Sequence, residues 1–420
     1  MHCIFLLWLI PGLLLPVKSL ASDWPQFLGP TRNGICEGTQ IAETWPASGP
    51  PVVWNKPVGH GFSGPVVADH KLILFHRLND QESISCLDAG TGNEIWSFGY
   101  PTSYQDDFGF DDGPRATPAI SELRLYTFGA EGMLHCLDLG TGRRLWSVNL
   151  QKDYNAGKGF FGMACSPLVE GNAVLLNIGG HGSAGIVALD KISGRLLWKS
   201  SNDEASYSSP IASTIAGRHY ALFLTREGLV GVEPSKGDIL FQFPWHSRNR
   251  MSVNAATPLV IEDKIFLSAS YGTGAVLLQL RDNTLQKVWS GDDVLSNHYA
   301  TSIALNGFLY GIHGRTDPGL SPRPKLRCID LKSQKVCWET DSIGAATLTL
   351  AGSHLLIMSE KGELVIANAT PERFESTARA QVLSSEVRAF PALADGLFYA
   401  RSKDKLVCLE LRKRSEKDKE

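Results

Sequence analysis

The sequence predicts an all-β protein, an eight-bladed β-propeller of four-stranded antiparallel blades whose ring is closed by an N-terminal strand. Three observations support this fold. An eleven-residue segment recurs along the chain, a Ser/Thr-Pro pair or a variant of it opens each repeat unit, and one unpaired strand precedes the first unit. A unit of four strands that recurs about every 40–50 residues is typical of propellers.

The recurring segment is a predicted hairpin with an aromatic residue at its end. CLDAGTGNEIW (86–96) returns as CLDLGTGRRLW (136–146), ALDKISGRLLW (188–198) and CIDLKSQKVCW (328–338), and 231–241 and 279–289 are degraded copies. The alternating residues predict a strand, the Asp and Gly suit a tight turn, and the large ring can cover the neighbouring unit. We therefore assign structural roles to Asp88, Gly92, Trp96, Asp138, Gly142, Trp146, Asp190, Gly194, Trp198, Trp289, Asp330 and Trp338.

The unit openings number eight. They lie at residues 63–65, 117–118, 166–167, 209–210, 257–258, 301–302, 346–347 and 390–391, so that successive units are 43 to 53 residues apart when counted between their second residues, 65 to 391. After each opening come a short apolar run, a turn, a stronger apolar run and then the hairpin, which together make four strands. The seventh unit lacks the Trp, and we predict that Phe374 takes its place.

The eighth unit is one strand short, and the N-terminal region supplies that strand. LVCLEL (406–411) is its third strand, after which the chain becomes a charged tail. Val52, Val53 and Trp54 form a strand with the aromatic residue but without three strands before it. Pairing these two segments would close the ring and bury two open edges.

The remaining segments have predicted roles outside the blades. Residues 4–15 are apolar but too few to span a bilayer, and small residues follow at 19–21, so 1–21 are a predicted secretory signal peptide, with an uncleaved anchor as the alternative. Residues 22–49 form an arm that we expect to pack on the propeller, because it contains Trp24, Phe27 and Trp45. The propeller spans 50–412 and the tail 413–420. We expect an exported monomer with no transmembrane span in the mature chain.

Charge and cysteine patterns exclude several classes of function. With 40 basic and 43 acidic side chains the net charge is −3, and no block of like charge occurs, which argues against nucleic acid as a partner. The chain has no CxxCH motif for haem and no CxxC pair for zinc. Cys86, Cys136, Cys328 and Cys408 occupy equivalent repeat positions, too far apart for disulfides, and are read as small buried residues.

Candidate ligand-binding residues lie in the loops that enter each innermost strand, because these loops converge on one mouth of the central channel. Ring geometry would gather Arg115, Arg250, Asn254, His298 and Arg388 there. Such a group suits a carboxylated or phosphorylated ligand, although arginines beside a channel also commonly bond loop carbonyls. His298 is either a base or a structural hydrogen-bonding group, and the structural role is favoured because no nucleophile motif accompanies it.

The acidic loop at 106–112 is a candidate calcium-binding segment. Asp111 and Asp112 are weak candidate ligands, because the spacing DDFGFDDG does not fit the twelve-residue calcium-binding loop. A solvated acidic loop is the alternative.

Together, the hairpins and the fragments DWPQFLGPTRNG (23–34), DGPRATPAI (112–120), YGTGAVLLQL (271–280) and SNHYATSI (296–303) resemble the PQQ-like repeat propellers, in particular an exported bacterial branch of that group. The resemblance covers residues 50–412 and implies a location in the periplasm or cell envelope. Two relatives share the architecture. The quinoprotein alcohol dehydrogenases bind pyrroloquinoline quinone (PQQ) and calcium, whereas the outer-membrane assembly lipoprotein is a scaffold without a cofactor.

The resemblance leaves two function hypotheses. The first is a non-catalytic binding or scaffold module, without a cofactor, that holds an envelope protein or a small anionic ligand at the channel mouth. The second is a PQQ- and calcium-dependent dehydrogenase that oxidises an alcohol or sugar. We favour the first, because the chain lacks the adjacent cysteine pair that the dehydrogenases place against PQQ, is shorter than they are and has no haem motif.

Overall fold

The computed structural model describes residues 23–247, 249, 253–317, 322–384 and 386–413. Its strands form eight four-stranded antiparallel blades in a ring, which confirms the predicted fold. Arg250, the predicted signal peptide at 1–21 and tail residues 414–420 lie outside the described residues.

The strand bounds follow the repeat units. Two strands precede the first blade: β1 (Ile35–Cys36) and β2 (Val52–Pro57). Blade 1 contains β3 (Val66–Ala68), β4 (Lys71–Leu78), β5 (Gln81–Asp88) and β6 (Glu94–Pro101). Blade 2 contains β7 (Ala119–Ser121), β8 (Arg124–Phe128), β9 (Met133–Asp138) and β10 (Arg144–Asn149), followed by a single helical turn, α1 (Leu150–Asp153). Blade 3 contains β11 (Leu168–Glu170), β12 (Ala173–Gly180), β13 (Ala184–Asp190) and β14 (Leu196–Ser200). Blade 4 contains β15 (Ile211–Ile215), β16 (Arg218–Leu224), β17 (Gly228–Val232) and β18 (Ile239–Pro244).

The second half of the ring repeats the pattern. Blade 5 contains β19 (Leu259–Ile261), β20 (Lys264–Ala269), β21 (Gly274–Arg281) and β22 (Thr284–Gly291). Blade 6 contains β23 (Ile303–Leu305), β24 (Phe308–His313), β25 (Lys325–Asp330) and β26 (Val336–Thr340). Blade 7 contains β27 (Ala346–Ala351), β28 (His354–Ser359), β29 (Glu363–Asn368) and β30 (Ser376–Gln381). Blade 8 contains β31 (Ala392–Ala394), β32 (Leu397–Arg401) and β33 (Lys405–Glu410), with β2 as its fourth strand.

Strand β2 closes the ring as predicted. It pairs antiparallel with β33, with Trp54 opposite Cys408 and Lys56 opposite Leu406. Val52 and Val53 are exposed, whereas the Trp54 ring contacts Tyr399 at 6.0 Å between centroids. The closure therefore rests on backbone hydrogen bonds and on Trp54.

The core lies between the blades, because each blade buries both faces against its neighbours. In β4 and β5 every central residue is buried regardless of its side of the strand. Between blades 1 and 2, for example, Phe75 and Ile84 pack in one cluster with Leu125 and Leu137. Alternation of polar and apolar residues is consequently weak in these strands.

The repeated tryptophans join six of the eight blades to the blade that follows. The Trp96 indole Nε1 donates a 3.0 Å hydrogen bond to the carbonyl of Leu139, which lies in the hairpin turn of blade 2. The ring covers Gly142 so closely that a Cβ there would lie 2.5 Å from a ring carbon. Equivalent Nε1 bonds run from Trp54, Trp146, Trp198, Trp289 and Trp338 to the turns of the following blades. Phe374, the predicted substitute in blade 7, has its ring 5.6 Å from that of Trp338.

The turn aspartates hold the shape on which these rings dock. Asp88 Oδ1 accepts hydrogen bonds from the amide and the hydroxyl of Thr91, both at 2.8 Å. Asp138, Asp190 and Asp330 make the same pair of bonds to the Thr or Ser three residues later. These bonds lower the pKa of each carboxyl, because they stabilise its charged form.

The hydroxyls of the Ser/Thr-Pro openings join the blades around the axis. The Gly64 amide donates to Thr117 Oγ1, the Thr117 amide to Ser166 Oγ, and the Ser166 amide to Ser209 Oγ. Thr257 donates in the same way to Thr301 Oγ1. Because proline cannot donate, the preceding residue supplies both the amide donor and the hydroxyl acceptor.

The N-terminal arm lies against the innermost strands and bonds to several blades. Trp24, which is buried, exchanges two 2.8 Å backbone hydrogen bonds with Val67 of blade 1. Strand β1 adds to blade 7 in parallel, with Ile35 opposite Leu350. Between these points Arg32 is fully buried, and its guanidinium donates to the carbonyls of Ser166 and Pro167 in blade 3. The arm therefore crosses the axis of the ring.

Candidate functional site

A cavity of about 180 Å³ lies at the mouth where the loops before the innermost strands converge. Three of the five predicted ligand-binding residues, Arg115, His298 and Arg388, line it. Asn254 is buried beside it, but its Nδ2 donates to the carbonyls of Thr225 and Trp245, so that it holds loops together. The fifth, Arg250, lies outside the described residues.

Five phenylalanines contribute to the cavity wall. Phe62 belongs to the chain entering blade 1, Phe110 and Phe161 to the loops before blades 2 and 3, and Phe390 to the opening of blade 8. Phe27 of the arm also lines the cavity and packs edge-on against Phe390, with ring centroids 4.9 Å apart. The arm is thus part of the site.

Arg115 is fixed between two of these rings. Its guanidinium lies 5.4 Å from the Phe62 ring and 5.2 Å from the Phe161 ring. Its Nη2 is 2.8 Å from Asp106 Oδ2, and its Nη1 donates to the carbonyls of Asp111 and Phe161. Burial alone would raise the pKa of Asp106, yet hydrogen bonds from two loop amides and the guanidinium hold it below its usual value. Arg115 therefore has a permanent counterion.

Arg388 also lies against the Phe62 ring. Its guanidinium lies 5.6 Å from that ring and 5.1 Å from the Phe110 ring, and its Nε is 3.2 Å from Glu360 Oε1. The Tyr299 hydroxyl donates to the same oxygen at 2.8 Å. Burial raises the pKa of Glu360, and burial together with the carboxylate raises that of Tyr299 well above its ordinary value.

His298 is held in a hydrogen-bonded chain. Its Nε2 lies 2.8 Å from the Tyr271 hydroxyl, and its Nδ1 lies 2.7 Å from Thr316 Oγ1 and 3.3 Å from the Thr316 amide. Burial lowers the pKa of His298 to about 4; the Asp317 carboxylate opposes this shift, and the Arg315 and Arg388 guanidinium groups add to it. The imidazole is therefore neutral at pH 7.

The acidic loop satisfies its own amides. Asp106 accepts hydrogen bonds from Phe108, Phe110 and Asp111, while Asp111 Oδ1 accepts from Gly113 and Asp112 Oδ1 from Asp106. Within the described ranges, no group of three or more His, Cys, Asp or Glu side chains could hold a metal ion. One oxygen of each of Asp111 and Asp112 thus serves the loop, while Asp111 Oδ2 lies 3.6 Å from His60 Nδ1.

Sequence reasoning missed the phenylalanines and Glu360. The segments DFGF (107–110) and GFFG (159–162) lie in the mouth loops, and an aromatic wall could have been inferred from them. Glu360 carries no such signal, because it lies in a turn between β28 and β29, far in sequence from Arg388.

Comparison with known proteins places the chain in a family. The family model described as outer membrane protein assembly factor BamB matches residues 80–340. A comparison with curated proteins finds no match. In the part of the chain that the structure describes, no helix has the length and hydropathy to span a membrane.

Solved structures of similar fold include both predicted relatives. BamB from Moraxella catarrhalis is 15% identical with a TM-score of 0.62, over 87% of this chain and 99% of that one. Quinohemoprotein alcohol dehydrogenase from Comamonas testosteroni is 14% identical with a TM-score of 0.69, over 94% of this chain and 81% of that one. At such identities the likeness shows the propeller fold alone. The family model covers more than half of the chain, and we conclude that the chain belongs to the PQQ-like repeat propeller family described as outer membrane protein assembly factor BamB.

Proposed function

We propose that this protein is a non-catalytic binding module of the periplasm or cell envelope that acts as a monomer. Its mouth cavity would hold a group of an envelope protein or a small anionic ligand. The observation that carries the proposal is the pairing of the charged side chains in the mouth. Arg115, Arg388 and Arg315 each face a carboxylate, at 2.8, 3.2 and 2.7 Å. Aromatic rings fixed by such ion pairs make a rigid binding surface.

The same pairing argues against catalysis at this site. A general base needs a pKa near the working pH and a reactive proton within reach. His298 is neutral with a pKa of about 4, and Asp106 is engaged by Arg115 and three loop amides. Neither group is poised to accept a proton at pH 7.

The second candidate is a PQQ- and calcium-dependent dehydrogenase, which is favoured by the aromatic rings and arginines at the mouth. The residues present do not fit these groups well. The cavity of about 180 Å³ is smaller than the roughly 300–1,000 Å³ of pockets that enclose drug-sized ligands. Calcium takes six to eight oxygen ligands, whereas the carboxylates beside the cavity are bonded to arginines or loop amides.

A titration with PQQ, with and without calcium, separates the two candidates. Binding is followed by calorimetry and by PQQ absorbance. We expect no calcium-dependent binding and no oxidation of alcohols or sugars with an artificial electron acceptor. Calcium-dependent binding at micromolar concentration or tighter, accompanied by such oxidation, would overturn the proposal.

A crosslinking experiment in envelope extracts tests the binding role directly. Phe110→Ala removes part of the cavity wall, and Arg195→Ala is the matched control, because Arg195 is exposed in a hairpin turn on the opposite face. We expect Phe110→Ala to lose the partners captured by the unmodified protein and Arg195→Ala to retain them. Equal capture by both variants would contradict a role for the mouth.

A further inference from the structure

The mouth cavity contains hydroxyl hydrogens for which the described part of the chain offers no acceptor. Tyr207 is the first case. Its Oη accepts the amide N–H groups of Phe160, at 2.6 Å, and Phe161, at 3.1 Å. These two bonds use both lone pairs of the oxygen, so that Tyr207 can act further only as a donor. No acceptor for its hydrogen occurs among the described residues, and the side chain lines the cavity.

Tyr271 is the second case. The tautomer of His298 determines whether the Tyr271 hydroxyl donates a hydrogen bond to the imidazole or accepts one from it. The Thr316 amide can only donate, so the Nδ1 atom that it faces at 3.3 Å must be an acceptor. A neutral imidazole with an acceptor at Nδ1 carries its proton at Nε2. Nε2 therefore donates to the Tyr271 oxygen at 2.8 Å. The Tyr271 hydrogen is left for the cavity, which Tyr271 also lines.

Arg388 adds positive charge to these donors. Its Nε faces Glu360, while its two Nη groups have no hydrogen-bond partner within the described ranges. The carboxylates around the cavity are each paired with an arginine: Glu360 with Arg388, Asp317 with Arg315, and Asp106 with Arg115. The hydroxyls of Tyr207 and Tyr271 and the Arg388 guanidinium thus remain as donors for an anionic ligand.

We propose that the cavity binds a small aromatic monocarboxylic acid, with Tyr207, Tyr271 and Arg388 donating to its carboxylate. The ring would lie among Phe62, Phe110 and Phe161, because aromatic rings pack favourably at offset or edge-on geometries. A volume of about 180 Å³ suits a ligand with one ring. This inference rests on the proposed function, because it names the ligand class of the same cavity.

Calorimetry with benzoate tests the inference. Benzamide has the same shape without the charge, and acetate has the carboxylate without the ring. We expect saturable binding of benzoate and at least about tenfold weaker binding of both controls, since a hydrogen bond to a charged group is worth roughly 1.5–3 kcal/mol. Equal affinity for benzoate and benzamide would overturn the inference.

Tyrosine variants show whether the donors are those named. Tyr207→Phe and Tyr271→Phe should each weaken benzoate binding about tenfold to a hundredfold. Tyr154→Phe is the matched control, because Tyr154 does not line the cavity, and it should bind as the unmodified protein does. Unchanged affinity in both cavity variants would overturn the assignment. A ¹⁵N NMR spectrum should show His298 as the Nε2–H tautomer, and the Nδ1–H tautomer would contradict the role of Tyr271.

Failure of this inference is distinguishable from failure of the proposed function. Absence of benzoate binding up to about 10 mM overturns the inference. If Phe110→Ala still loses its envelope partners in that case, the proposed function stands. Benzoate binding together with PQQ- and calcium-dependent oxidation of alcohols or sugars would instead contradict the proposed function and support the inferred ligand class.

Discussion

Comparing Gly142→Ala with Gly217→Ala should separate two contributions to the free energy of unfolding, that of the tryptophan contacts and that of the backbone conformation. Gly142 has φ +71° and lies beneath the Trp96 ring, where an added Cβ would be 2.5 Å from one ring carbon and 2.7 Å from another. Gly217 has φ +80° with no atom within 4 Å of an added Cβ. Both substitutions force a left-handed alanine, but only the first displaces a ring.

The two variants should differ by about 1–3 kcal/mol in free energy of unfolding. Left-handed backbone costs a non-glycine residue roughly 1–2 kcal/mol at either position. At Gly142 the ring must move about 1 Å to restore an ordinary carbon–carbon distance of roughly 3.5–4.0 Å. That shift disrupts the bond from Trp96 to the Leu139 carbonyl, worth about 0.5–1.5 kcal/mol, and some packing as well.

Thermal unfolding followed by circular dichroism measures the difference. For a chain of this size, 1 kcal/mol corresponds to about 1–2 °C, since the entropy of unfolding grows with the number of residues. Gly142→Ala should therefore melt about 1–6 °C below Gly217→Ala. Equal melting temperatures would refute the claim that the tryptophan docked on this turn stabilises the junction between blades 1 and 2.

Three further predictions concern the ring, the arm and pH. Trp54→Ala should cost about 2–4 kcal/mol in urea unfolding, whereas Val52→Ala should cost under about 1 kcal/mol because Val52 is exposed; similar costs would argue against closure through the indole. Burial lowers the pKa of His135 to about 4, below its unfolded value of about 6.5. Between these pH values the unfolded chain binds a proton that the folded chain does not, so the stability of the fold decreases as the pH falls from about 6.5 to about 4. His135→Phe should reduce the loss of melting temperature between pH 7 and pH 5, and an unaltered loss would show that other groups cause it. Arg32→Ala removes the donors to the Ser166 and Pro167 carbonyls and should speed hydrogen exchange of the Leu350 amide, which bonds to the arm; unchanged exchange would mean that the arm is held elsewhere.

The sequence was sufficient for the fold because the repeats record it many times. The hairpin signal is local, so each copy marks two strands, and the spare strand at 52–57 requires a partner at the other end of the chain. The docking of Trp96 on the next turn follows from a single spacing that recurs in six of the eight blades. The arm carried no periodic signal, and its path across the axis is visible only in the structure.

The site was only partly predictable, for a physical reason. Ring geometry brings all the mouth loops together, and Arg115, His298 and Arg388 do meet there. Which atoms then pair depends on the side-chain positions of several blades. Asn254 lies on a mouth loop but uses its amide for Thr225 and Trp245, and no property of the sequence distinguishes it from a residue that faces the cavity.

Asp23 lies on the face of the propeller opposite the mouth cavity. The innermost strands run away from the mouth, so the turns that follow them lie on the opposite face. Trp24 pairs with Val67 near the end of β3, so the preceding residue, Asp23, lies beside the turn at Asp69 on that face. The arm therefore runs from that face at Asp23 to the mouth cavity at Phe27, so that a label attached ahead of Asp23 would lie away from the cavity opening.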